Sequence, residues 1–141
     1  MKVAVIMPAS VDDAGDYLAN ARALDAAGAE IIGVDGDPEQ QWLVLAAIAA
    51  VTTRVKLRAP SEQRLDLLDL LSRGRALALE PAGERWVPIP LPADRAAWAA
   101  ALHDHEQAGA DGVVVAWDER LIDLLRNPEP EDRSDLLMST G

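Results

Sequence analysis

The chain has 141 residues, is 50% hydrophobic and 26% charged, and carries a net charge of −11 with a pI near 4.4. Such an acid excess excludes binding driven by clustered Lys and Arg on a phosphate backbone, so nucleic acid is not an expected partner. The absence of cysteine removes disulfides, thiol nucleophiles and thiolate metal sites.

The length suits one domain with a real core. The opening MKVAVIMPAS has an unbroken run of only five apolar residues before Pro8. That is too short for a secretory core or a membrane span, so the expected setting is cytoplasmic, without membrane contact.

The apolar run 3–7, stopped by Pro8, predicts a strand buried on both faces. Ser10 or Asp12 is positioned to cap the helix that follows, whose apolar face carries Tyr17, Leu18, Ala21 and Leu24 and which Gly28 ends. A second strand is expected over 30–34. In the turn Asp35-Gly36-Asp37-Pro38, Asp37 caps a helix and Pro38 takes its first position. The stretch 42–51 is apolar nearly all round, more than one sheet can bury. Trp42, Leu45 and Ile48, with Leu43 and Val51, are therefore expected at the two-fold interface of a homodimer, which would also shield open sheet edges.

A third strand is expected over 55–58. Ser61 then caps a helix with Leu65, Leu68, Leu71 and Leu67 facing inward. A fourth strand follows over 76–80. Pro81, Pro88, Pro90 and Pro92 forbid a helix and admit at most an edge strand over 86–91. Asp94 caps a helix that Gly109 stops, 112–116 is a buried strand, and Asp118 caps a last helix. The result is an α/β domain over 1–126, a partial or rebuilt TIM-barrel-like repeat of βα units with about five to six mostly parallel strands. Residues 127–141 form an acidic, proline-containing tail.

Parallel βα folds bind ligands at the carboxyl ends of their strands, where helix N-termini and variable loops converge. On that face the sequence offers Ser10, Asp35, Arg58, Glu80, Trp117 and Asp118. Trp117, at a strand end, is suited to stack on a ring. Asp35, Glu80 and Asp118 have the chemistry to hold a hard cation, but a helix cap accounts for Asp118 and a solvated loop for Glu80, so no metal is expected. His103 and His105 lie too far apart around one helix to share a metal.

The segments ALDAAGAEIIGV (23–34), LAAIAAVTTRVKL (45–57) and LLSRGRALAL (70–79) together resemble the first half of the luciferase-like monooxygenases. A weaker echo is HEQAGADGVVV (105–115). The resemblance implies a TIM-barrel scaffold and a reduced flavin or deazaflavin coenzyme. Eight βα units need about 250 residues, so it implies a truncated member. The family's His-containing segment after the second strand is replaced here by Asp35-Gly36. Arg58-Ala59-Pro60 stands after the third strand, and Glu80-Pro81-Ala82-Gly83 replaces the Gly-rich segment after the fourth. The expectation is a domain with reduced or no oxidoreductase activity that acts as a binding or assembly partner. The alternative is a flavin- or deazaflavin-dependent oxidoreductase whose pocket a second subunit completes.

Overall fold

The computed structural model describes residues 1–78 and 81–127. Six strands, β1 (Lys2–Met7), β2 (Ile31–Val34), β3 (Lys56–Arg58), β4 (Ala76–Leu77), β5 (Trp86–Pro88) and β6 (Gly112–Ala116), form one all-parallel sheet in the order β4-β3-β2-β1-β6-β5. Five helices accompany them: α1 (Ala14–Ala27), α2 (Pro38–Val51), α3 (Leu65–Leu71), α4 (Arg95–Gln107) and α5 (Leu121–Arg126). No described helix is long and apolar enough to cross a membrane.

Successive βα units all step the same way along this sheet, and right-handed crossovers then place the connecting helices on one face. The buried cluster agrees. It combines alternate strand residues, Val3, Val5, Met7, Ile32, Val34, Leu57, Val113 and Val115, with side chains from all five helices, including Leu24, Leu45, Leu68, Trp98 and Leu121. The order is that of a six-strand barrel cut between β4 and β5, and no pairing joins those two strands among the described residues.

The open edges are blunt. β4 has two residues and β5 has three, ending at Pro88, and short proline-bearing edges resist intermolecular pairing. β5 is fixed by Trp86, whose ring lies on Gly112 of β6; a methyl group there would meet ring carbons at 2.3–2.7 Å. Glu84 bridges the Trp86 indole N–H (3.1 Å) and the Lys2 ammonium (2.6 Å), and these bonds hold its carboxyl below the usual range.

Local signals set most helix starts. Asp37 accepts from Gln40 N (3.0 Å) with Pro38 next, Asp94 accepts from Ala97 N (2.8 Å), and Gly28 closes α1 at φ 98°. Asp13, not Ser10 or Asp12, caps α1 by accepting from Asp16 N (2.9 Å). Asp118 does not cap α5, which starts three residues later without a side-chain cap.

Two expectations about helix faces are corrected. Trp42, Leu45 and Ile48 are buried within the chain's own core, because α2 packs between α1 and α3 as well as on the sheet. On that helix the exposed large residue is Leu43. α3 begins at Leu65, not Ser61, and only Leu68 is fully buried; Leu67 and Leu71, expected inside, face outward with Leu70. A seven-residue helix laid against its neighbours has one contact line, too narrow for every leucine of LDLLDLL.

Candidate functional site

The carboxyl ends of β1 and β2 are joined by side chains from neighbouring loops. Asp35 Oδ1 accepts from Ala9 N (2.7 Å), so this carboxylate holds the β1–α1 loop against the turn after β2. The Tyr17 hydroxyl donates to the Pro8 carbonyl (2.7 Å). Burial, and then the nearby Asp35 charge, push that phenol up to about 12.

Beside this junction a cleft of about 470 Å³ opens over the ends of β1 to β3 and the start of α2. Ile6, Gly33, Gly36, Gln41, Arg58 and Ala78 line it, and Val34, Pro38, Ala59 and Pro60 complete the wall. Its floor depends on glycine. A Cβ at Gly33 would sit 2.8 Å from Ile6 Cδ1 and 3.7–3.8 Å from the Arg58 stem, so the missing side chain lets those two groups meet over bare backbone. Gly36 has φ 96°, and a Cβ there would lie 2.6 Å from that of Ala9. Gln41 Nε2 donates to the Gly36 carbonyl (2.7 Å), which locks the turn against the first turn of α2.

This volume falls in the range of small-molecule sites, roughly 300–1,000 Å³. One permanent cation, one amide and exposed backbone face it. Among the described residues its lining includes no Asp, Glu, His, Lys, Tyr or Ser, and Arg does not give up its proton in proteins. Its size and the Arg58 guanidinium suit an anionic molecule, and none of the described lining side chains is suited to general acid–base work at neutral pH.

No family model matches the chain, and no curated protein or solved structure matches it.

The TTRV (52–55) and SRGR (72–75) segments lie at the opposite end of the sheet from the cleft, where β3 and β4 begin. Asp25 of α1 accepts from Thr53 N, Arg54 N and Val55 N at 2.8–3.0 Å and from Thr53 Oγ1 at 3.3 Å. Burial would raise its pKa, but these donors outweigh burial and hold the carboxyl below its ordinary value. Arg75 spreads its guanidinium over the end of α2. Nη1 donates to Thr52 Oγ1 (2.9 Å) and Val55 O (2.8 Å), Nη2 to Ala49 O (3.1 Å) and Thr52 O (3.0 Å), and Nε to Ser72 O (2.6 Å). The TTRV and SRGR segments thus close helix ends and feed chain into β3 and β4; at the amino-terminal face of a βα fold this is stability, not chemistry.

Of the residues singled out in the sequence, Arg58 lines the cleft. Asp35 stands beside it as a loop clamp. Ser10 is exposed on the loop after β1. Trp117 donates its backbone N–H to Ile6 O (2.8 Å), and its half-buried ring packs on the helix-side core. Asp118 accepts from Arg120 N (2.9 Å) and Nε (3.1 Å), which hold its carboxyl low. Glu80 lies outside the described residues, and no group of three or more His, Asp or Glu among the described residues is placed to hold a metal ion. His103 and His105 sit in the body of α4. Gly33 and Gln41 were not singled out by the sequence reading; the signal for Gly33 was a glycine inside the aliphatic strand IIGV.

Proposed function

We propose that the chain is a truncated luciferase-like domain that works as a cytoplasmic binding or assembly partner, its cleft taking a small anionic ligand without turning it over. The observation that carries this reading is a ligand-sized cleft with a guanidinium at its wall and, among the described residues, no proton-transferring side chain in its lining. Arg58 would pair with the anionic group, and the Gln41 amide and the backbone of the Gly36 turn would meet the rest of the ligand.

A second reading, a flavin- or deazaflavin-dependent oxidoreductase, is favoured by the same cleft volume and cation, which suit a molecule bearing a phosphate. The flavin would supply electron transfer; Arg58 and Gln41 would orient it. A proton would have to come from water or from a second subunit.

The test is titration of the full chain with FMN and with a deazaflavin coenzyme, read by tryptophan quenching. Arg58→Ala is expected to weaken binding about tenfold or more, the effect of one lost charge-assisted contact, and Gly33→Val to block it. Equal affinity in Arg58→Ala and the parent would sink the assignment. Oxidation of a long-chain aldehyde with reduced FMN, above a protein-free control, would replace the binding role by the second reading.

A further inference from the structure

The outer surface of α2 and α3 is apolar where a monomer's surface should be polar. Leu43 and Leu70 are 74% exposed, Leu67 56% and Leu71 50%. A groove between the two helices joins most of them, with Trp42 and Leu68 at its base and Arg64 at its side. The four leucines leave roughly 450 Å² of apolar side chain uncovered, as much as the largest patch on a typical monomer. We propose that this groove is the contact surface of a symmetric dimer, the occupant being the same α2–α3 surface of a second copy.

Area and charge both favour a second copy. Two such patches laid on each other, with the flanking Ala46, Ala47 and the Arg64 stem, bury about 1,200 Å², the lower end for a specific stable contact. A two-fold axis perpendicular to α3 runs the two copies of that helix antiparallel. Seating Leu67 on the second copy's Leu71 then brings Arg73 beside the second copy's Asp66, twice per dimer. A parallel seating would instead set Asp66 against Asp66 and Arg73 against Arg73, which a chain of net charge −11 has no reason to favour. Arg73 is also the one described non-glycine residue with positive φ, 57°.

Sedimentation velocity of the full chain at micromolar concentration and physiological salt is expected to give twice the 15.1 kDa chain mass. Leu67→Asp with Leu71→Asp should weaken association roughly 100-fold or more while keeping the helical circular dichroism, since neither side chain is in the core. Asp66→Arg alone should weaken the dimer, and adding Arg73→Asp should restore it. That rescue does not depend on the leucine variant folding. A single-chain mass for the parent at high micromolar concentration, or a two-chain mass that survives both aspartates, overturns the surface; dimers indifferent to the charge swap overturn the antiparallel seating. A parent of single-chain mass whose leucines are shielded from hydrogen exchange would give the groove to another segment of the same chain, and that too refutes the proposal.

Discussion

Replacing Arg75 by alanine removes the group that closes three segments at once. Its five donated hydrogen bonds reach the last turn of α2 at Ala49 and Thr52, the entry to β3 at Val55, and the end of α3 at Ser72. At a net worth near 1 kcal/mol each they would total about 5 kcal/mol. The guanidinium is half-buried, so water takes over some of the abandoned carbonyls, and the expected loss is about 2–4 kcal/mol. For a chain of this size that lowers the melting midpoint by about 8–15 °C, a large part of a typical stability of about 5–15 kcal/mol. Urea unfolding followed by tryptophan fluorescence, at low protein concentration so that association does not contribute, gives the number directly. Arg75→Lys separates the fork from the charge. A lysine keeps a cation near the C-terminus of α2, worth about 0.3–1 kcal/mol, but its compact ammonium cannot span acceptors on three segments. A loss below about 0.5 kcal/mol in Arg75→Ala, or full recovery by Arg75→Lys, would refute the reasoning.

Asp25→Asn is expected to cost about 1–3 kcal/mol at neutral pH, because a neutral amide satisfies fewer of the N–H groups of Thr53, Arg54 and Val55. The folded-state carboxyl lies below its unfolded value. Its contribution is therefore present above about pH 4, is lost as pH falls through the folded pKa, and should vanish from an acid titration of stability in Asp25→Asn; parallel acid limbs in variant and parent would contradict this. Gly112→Ala forces a methyl group into the Trp86 ring and should destabilise by about 1–3 kcal/mol, with a shift in tryptophan emission as that ring leaves the sheet. An unchanged melt and spectrum would mean that Trp86 does not lie there.

Interactions confined to a few residues were legible in the sequence. Asp37-Pro38, Asp94 and Gly28 mark helix ends because caps are satisfied within one turn, and the runs 3–7 and 112–116 announce the central strands because an unbroken apolar run can be largely buried only in the middle of a sheet. The parallel α/β class followed from that alternation. The tertiary structure decided what depends on residues distant in sequence: that β5 lies beyond β6, that α2 is flanked on both sides so Trp42, Leu45 and Ile48 turn inward, and that α3 leaves Leu67 and Leu71 outside. The cleft is of the same kind. Gly33, Gln41 and Arg58 belong to three different elements, and no periodicity within one helix or strand encodes their meeting. It comes from the parallel register that sets Ile6 beside Gly33, the Gly36 turn that brings α2 back over the strand ends, and a bare glycine that leaves room for the Arg58 stem.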